Sequence, residues 1–222
     1  MKPTEPLADA VDADPRYRRF VALLLDAPTR VTATAPDEAY ERHVVDALTA
    51  LPELTAAPPG PLVDVGSGGG VPGVVLAIAL PDRAVTLVEA TGRKAAVLAG
   101  MVTELGLERV TVVNARAEDH AAKVRDAFAV ATARALAPPP VAAELCLPYV
   151  RPGGIAVLYA GAVDRDALEH AAAAVGGALE SVRAVAGSDR RTIVVIRKIA
   201  PTPPGFPRRV GLAAKRPLTR FT

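Results

Sequence analysis

Short apolar runs alternate with longer amphipathic segments through the middle of the chain. Apolar runs separated by helical patterns predict a parallel sheet with helices on both faces. We predict strands at residues 62–65, 84–89, 109–114, 128–132 and 155–159. Two further runs, at 179–185 and 192–199, are separated only by the turn Gly187-Ser188-Asp189. This spacing predicts a C-terminal hairpin, so that the sheet ends in an antiparallel strand.

Two helical patterns precede the predicted sheet, and a segment rich in proline and arginine follows it. The first helical pattern covers residues 7–25 and ends before Pro28, and the second covers residues 37–51 between Pro36 and Pro52. We expect the last segment to lie on the surface. We therefore divide a single α/β domain into N-terminal helices at 1–57, a core at 58–200 and a basic C-terminal tail at 201–222.

The composition indicates the cellular compartment and the charge of the binding partner. The single cysteine, Cys146, excludes a disulfide framework and favours a reducing cytoplasm, where we expect it to be a buried apolar side chain. No apolar run approaches the ~20 residues of a membrane span. The net charge is +2, but nine Lys and Arg residues and no acidic residue follow Asp189. This asymmetry predicts a polyanionic partner; a solvated tail without a partner is the alternative.

The segment at 62–73, Leu-Val-Asp-Val-Gly-Ser-Gly-Gly-Gly-Val-Pro-Gly, joins the first strand to a helix through a glycine-rich turn. It contains a literal G-x-G-x-x-G, the pattern of dinucleotide sites. The acidic frame Asp64-x-Gly66-x-Gly68-x-Gly70 instead favours a cofactor with an ammonium group, because a carboxylate there would repel a pyrophosphate. We therefore predict that these four residues bind S-adenosylmethionine. A glycine turn without a ligand is the alternative.

The residues that follow the next three strands supply further candidate contacts, since ligands of open α/β sheets lie at the carboxyl ends of strands. Glu89 can accept hydrogen bonds from both ribose hydroxyls of an adenosine. The backbone amide near Ala117 and the carboxylate of Glu118 can contact the edge of adenine; helix capping is the other explanation for Glu118. Arg134 would face the transferred methyl group and the substrate.

Arg42, His43 and Asp46 form a polar group within the second predicted helix. His43 and Asp46 are three residues apart and therefore share a helix face. This group is either a hydrogen-bonded surface cluster or part of the active site. The chain lacks the acidic and Pro-Pro-Tyr motifs used to methylate exocyclic amines. Their absence favours an acceptor with a free lone pair, such as N7 of guanine.

Taken together, these segments resemble the bacterial small-subunit ribosomal RNA guanine-N7 methyltransferases, also called glucose-inhibited division protein B. The resemblance extends from about residue 30 to residue 218, and its most specific parts are the glycine loop with its Val-Pro-Gly exit and the Arg-His-x-x-Asp helix. It implies a class I S-adenosylmethionine-dependent methyltransferase fold. Such a fold is Rossmann-like, with a mostly parallel seven-stranded sheet, a C-terminal antiparallel hairpin and, here, an N-terminal helical extension.

The resemblance also implies a reaction, partners and site residues. The reaction is methyl transfer from S-adenosylmethionine to N7 of a guanine in 16S ribosomal RNA or the small ribosomal subunit. We expect a cytoplasmic monomer with no metal and no membrane partner. By match to the family, the cofactor contacts are Gly66, Val71, Ala117, Glu118 and Arg134, with Glu89 at the ribose. The predicted catalytic residues are Arg134, His43 and Arg42.

Two other functions remain open at this point. One is a methyltransferase that acts on a small molecule or a protein, in which case the basic tail has no role in substrate binding. The other is a noncatalytic RNA-binding factor of ribosome assembly that keeps the cofactor pocket only as structure.

Overall fold

The computed structural model describes residues 14–29, 32–188 and 190–218. Its centre is one seven-stranded sheet in the order β3-β2-β1-β4-β5-β7-β6. The strands are β1 (Leu62–Val65), β2 (Val85–Glu89), β3 (Val110–Asn114), β4 (Phe128–Arg134), β5 (Val150–Ala160), β6 (Gly177–Ala184) and β7 (Thr192–Lys198). Strands β1 to β5 are mutually parallel, and β7 is antiparallel to both of its neighbours.

The predicted strands and the hairpin are confirmed, with one difference in their order. β7 lies between β5 and β6, so the antiparallel strand is second from the edge and the edge strand is β6. The hairpin turn brings β7 back along β6, and β7 then bonds β5 over the whole of Ile155 to Ala160. This position brings the start of β7 next to the end of β5.

Helices cover both faces of the sheet. They are α1 (Pro15–Leu25), α2 (Asp46–Leu48), α3 (Leu51–Ala56), α4 (Gly73–Ala79), α5 (Gly92–Glu104), α6 (Ala117–Lys123), α7 (Pro139–Cys146), α8 (Arg165–Ala174) and α9 (Leu212–Lys215). Leu62 belongs to the apolar core on one face, whereas Val63 and Val65 belong to the core on the other. Strands that are covered on both faces, such as β1, appear in the sequence as nearly continuous apolar runs.

The helices before the sheet differ from the prediction. α1 begins at Pro15 because the Asp14 side chain caps it, accepting from the Arg16 N–H at 2.9 Å; residues 7–13 of the predicted helix lie outside the described residues. The second predicted helix is not continuous. It consists of a 3₁₀ turn at Pro36–Glu38, a π-helical turn at Glu41–Val45 and the short α2. Pro52 does not terminate it but occupies the first turn of α3.

The C-terminal segment is packed more closely than the prediction of a surface tail implied. Ala213 of α9 is buried, and the side chains of Phe206 and Leu218 pack against the core that contains α7. Arg209, Lys215 and Arg216 are exposed. Within the described ranges, no helix has the length and apolar character needed to cross a bilayer.

Candidate active site

The loop after β1 is organised by the buried carboxylate of Asp64, which is 1% exposed. Its Oδ1 accepts a hydrogen bond from the Thr132 hydroxyl at 2.9 Å, and its Oδ2 accepts from the Gly73 N–H at 3.2 Å. The Ser67 hydroxyl donates to the Asp64 backbone carbonyl at 2.9 Å. Burial raises the pKa of Asp64 to about 6, although these hydrogen bonds act in the opposite direction. Asp64 therefore joins β1, β4 and the start of α4.

Two glycines of this loop are required for different reasons. Gly66 has φ +73°, and a Cβ there would lie 2.5 Å from a methyl carbon of Leu136. Gly70 has φ +94°, and a Cβ there would lie 2.7 Å from the Val74 side chain and 3.3 Å from the Phe20 ring. Both conformations favour glycine. Gly66 keeps the loop open beside Leu136, whereas Gly70 lets the loop rest on the core.

Glu89 closes β2 and connects it to the loop. Its Oε2 accepts from the Gly68 N–H at 2.9 Å, and its Oε1 accepts from the Thr91 N–H at 2.7 Å. A carboxylate has about four acceptor positions, so two protein donors leave capacity for a ligand. The Glu89 side chain is therefore fixed by backbone groups and can still accept further hydrogen bonds.

The start of α6 lies on the opposite side of the same hollow. Ala117 and Glu118 are its first residues, and the N–H groups of a first helical turn have no partner within the helix. The Ala117 carbonyl accepts from the Tyr149 hydroxyl at 2.7 Å. Glu118 Oε1 accepts from the Gly211 N–H at 2.8 Å, a contact from the distant C-terminal segment.

These elements surround a cavity of 490 Å³ that we call the glycine-loop cavity. Of the predicted residues, its lining contains Gly66, Gly68, Val71, Glu89, Ala117, Glu118, Arg134 and His43. Asp64 and Gly70 are not in the lining, because the Asp64 side chain lies beneath the loop and Gly70 faces the core. Arg42 lines a neighbouring cavity instead.

Arg134, at the end of β4, is held by three partners from the segment of the π-helical turn and α2. Its Nη1 donates to Asp46 Oδ2 at 2.7 Å and to the Arg42 carbonyl at 2.8 Å. Its Nη2 contacts His43 Nδ1 at 3.1 Å. Burial lowers the pKa of Arg134 from its ordinary value; arginine nevertheless stays charged, and it can only donate. The guanidinium is therefore oriented on one side by fixed acceptors.

His43 is neutral, and its tautomer follows from its neighbours. Since Arg134 only donates, His43 Nδ1 must accept, and the ring proton lies on Nε2, 2.8 Å from the Thr32 hydroxyl oxygen. Burial lowers the pKa of His43 to about 4, and the positive charges of Arg134 and Arg191 contribute in the same direction. Both ring nitrogens are thus occupied, so His43 is not an available base near neutral pH.

A second cavity of 320 Å³, here the arginine cavity, adjoins the first. Asp46 lies in its wall between two cations, Arg134 and Arg191, and forms an ion pair with each. The Tyr159 hydroxyl donates to the Ala47 carbonyl at 2.5 Å and so ties α2 to β5. Arg42 lies in the same wall, 55% exposed and paired with Glu38 at 2.9 Å. His43, Arg134 and Ala135 line both cavities.

Comparison with known proteins gives the family of the chain. The family model of rRNA small subunit methyltransferase G matches residues 15–193. The chain is 38% identical over 210 residues to "Ribosomal RNA small subunit methyltransferase G" of Moorella thermoacetica, covering 90% of this chain and 88% of that protein. It is 36% identical over 220 residues to the protein of the same name from Thermotoga petrophila, covering 96% and 92%. The chain belongs to the rRNA small subunit methyltransferase G family.

Solved structures with the same fold are more distant. A point mutant of a 16S rRNA (adenine(1408)-N(1))-methyltransferase from Catenulisporales acidiphilia, with cosubstrate SAM, has a TM-score of 0.56 at 16% identity, covering 68% of this chain and 91% of that one. A putative O-methyltransferase from Klebsiella pneumoniae has a TM-score of 0.56 at 18% identity, covering 85% and 91%. These likenesses concern the fold. The predicted class I methyltransferase fold is confirmed.

Sequence reasoning missed several residues that line these two cavities. Gly211 and Ala214 line the glycine-loop cavity, and Arg191 lines the arginine cavity. No local motif marks them, because each reaches the site through long-range packing of the C-terminal third of the chain. Leu136 was also missed; only the glycine at position 66, which leaves room for it, is a signal in the sequence.

Proposed function

We propose that this methyltransferase binds S-adenosylmethionine in the glycine-loop cavity and methylates N7 of a guanine of 16S ribosomal RNA held in the arginine cavity. The observation that carries the proposal is the shared wall: Arg134 and His43 line both cavities. A group transfer between two ligands requires that their reacting atoms meet, and this wall is where the two cavities adjoin.

The chemistry of the glycine-loop cavity fits this cofactor. Gly66 and Gly68 present backbone without side chains, Glu89 has spare acceptor capacity for ribose hydroxyls, and Ala117 and Glu118 supply N–H groups and a carboxylate for the edge of a base. S-adenosylmethionine supplies a methyl group carried on a positively charged sulfonium. Asp64 acts indirectly in this proposal, because its hydrogen bond to the Gly73 N–H sets the shape of the loop.

The arginine cavity fits a methyl acceptor that has to be aligned with the cofactor but does not have to lose a proton. Guanine N7 carries a lone pair and no proton, so a general base has no task there. His43 is consistent with this, since it is neutral and both of its nitrogens are engaged. We assign Arg134 to contact with the reacting groups, His43 to the orientation of Arg134, and the exposed Arg42 to a phosphate of the RNA at the rim.

Two further features bear on the cellular compartment and the oligomeric state of the enzyme. Cys146 is a free, buried thiol whose pKa is raised by burial, which suits a protein of the reducing cytoplasm. The exposed large apolar side chains of the described residues are Ile199 and Val210 alone, and two such side chains supply little of the apolar area that a stable homodimer buries. We therefore propose a monomer; light scattering after size-exclusion chromatography tests it.

The proposed reaction is tested with methyl-labelled S-adenosylmethionine and small-subunit RNA that lacks the modification, either naked or in the subunit particle. We expect label at N7 of one guanine, identified by nuclease mapping and mass spectrometry of the released nucleoside. Label on another atom or on protein, or turnover without RNA, would contradict the proposal. Binding of the cofactor without any transfer to either substrate form would support the noncatalytic alternative.

A further inference from the structure

The segment from Arg208 to Arg216, which we call the C-terminal strap, closes one side of the glycine-loop cavity. Gly211 and Ala214 belong to the cavity lining. The strap includes α9, whose Ala213 is buried against α7.

A buried ion pair anchors this strap. Glu144 of α7 is 3% exposed, and its two carboxylate oxygens accept from Nε and Nη2 of Arg208, both at 2.5 Å. Arg208 Nη2 also donates to the Arg216 carbonyl at 2.9 Å. One guanidinium thus fixes the strap to α7 and joins its two ends. A buried carboxylate without its partner would be strongly unfavourable, so this contact determines where the strap lies.

Between those two ends the strap directs one backbone N–H at the cavity. Gly211 adopts φ +75°, and its N–H donates to Glu118 Oε1 at 2.8 Å. No other hydrogen bond to Glu118 is found among the described residues, so Oε2 keeps its acceptor positions. The side chain is therefore held by one oxygen while the other can accept from a ligand.

We propose that the C-terminal strap is part of the cofactor site and that Arg208 and Glu144 are positioning residues for Glu118. This inference rests on the proposed function of Glu118. The strap holds the Glu118 carboxylate in the position where it accepts a hydrogen bond from the 6-amino group of the adenine. Selectivity for a 6-aminopurine then depends on an ion pair that does not touch the cofactor. The strap's exposed cations, Arg209, Lys215 and Arg216, are not needed for this role.

The test compares S-adenosylhomocysteine with its analogue that carries hydrogen in place of the 6-amino group. Isothermal titration calorimetry gives both dissociation constants for the full chain. A hydrogen bond to a charged group predicts that the wild type binds the amino compound about tenfold more tightly or better. Glu118→Gln should reduce this ratio, since the amide accepts more weakly.

The decisive variant is the double replacement Arg208→Met with Glu144→Met, which exchanges the buried ion pair for apolar side chains and is expected to fold. We expect the double variant to bind the amino compound only about two- to threefold more tightly than its analogue, mainly because its affinity for the amino compound falls. Arg197→Met, at an exposed ion pair with Glu180, is the control and should keep the wild-type ratio.

The role of the strap, the assignment of Glu118 and the cofactor cavity fail in three different ways. If the double variant folds and keeps the wild-type ratio, the role of the strap is wrong while the cofactor site stands. If the wild type binds both compounds equally, the assignment of Glu118 to the adenine is wrong, and the strap inference goes with it. If the wild type binds neither compound, the proposed cofactor cavity itself is wrong.

Discussion

The glycine-loop cavity and the arginine cavity adjoin at Arg134 but are constructed in different ways. The first is built around one continuous segment, where β1, Asp64 and the glycines come within a few residues of each other. The second brings together His43, Arg134 and Arg191, which are far apart in the chain. A site set by backbone geometry leaves a local motif, whereas a site made of charged side chains is defined by which segments the fold brings together.

The largest effect is expected for Arg134→Ala, which removes the side chain shared by the two cavities. Methyl transfer at saturating cofactor and RNA should fall about 100- to 1,000-fold, as for loss of a preorganised donor. The melting temperature should change little, because Asp46 keeps its ion pair with Arg191. Single-turnover kinetics measure the first quantity and thermal unfolding the second. Arg197→Ala, at an exposed pair, is the control; full activity of Arg134→Ala would remove Arg134 from the mechanism.

Asp64→Ala tests whether the glycine-loop cavity depends on a buried carboxylate. The change leaves the Gly73 N–H and the Thr132 hydroxyl without their partner, so we expect a loss of about 2–3 kcal/mol in the free energy of unfolding. Urea denaturation measures this loss. Asp64→Asn is the matched comparison and should recover most of the stability, since its oxygen can accept from Gly73 and its amide can donate to Thr132. Equal losses in the two variants would argue against this explanation.

Glu89→Gln tests cofactor binding in the glycine-loop cavity. It removes the charge that is expected to accept from the ribose hydroxyls, and the dissociation constant of S-adenosylhomocysteine should rise about 10- to 100-fold. Calorimetry measures the constant. Glu180→Gln, an exposed carboxylate in β6, is the control with no expected effect. An unchanged constant for Glu89→Gln would place the ribose elsewhere.

The last effect is the gradual pH dependence that His43 contributes. Its pKa in the folded protein is about 4, below the 6.5 of the free side chain, so between these values the unfolded state binds more protons. The free energy of unfolding should therefore decrease as the pH falls from 6.5 to 4, by at most about 1.4 kcal/mol per pH unit from this residue.

His43→Asn should remove this part of the pH dependence. Asp64 contributes a slope of opposite sign between pH 3.8 and about 6, because its pKa is raised, but it is present in both proteins and cancels in the difference. Urea denaturation at several pH values from 7 to 4.5 measures the two curves. Parallel curves would show that His43 is not held neutral by its surroundings.

Much of the fold could be predicted because its strands are short apolar runs with clear boundaries. The region from residue 36 to residue 52 could not, since the 3₁₀ and π-helical turns there keep the composition of an ordinary helix. The lining of the glycine-loop cavity was predicted best where backbone conformation demands glycine, as at Gly66, or where a residue ends a strand, as at Glu89. The position of β7 inside the sheet depends on pairing with β5, which no local pattern encodes.

The amino-acid sequence by itself determined the parallel sheet, the glycine loop and the family, because these follow from local patterning and from motifs of contiguous residues. Only the tertiary structure decided that Arg191 shares Asp46 with Arg134, and that the C-terminal strap reaches Glu118. Ion pairs and hydrogen bonds between distant segments depend on distances of a few ångströms. Those distances are set by the packing of the whole chain and leave no periodic signal along it.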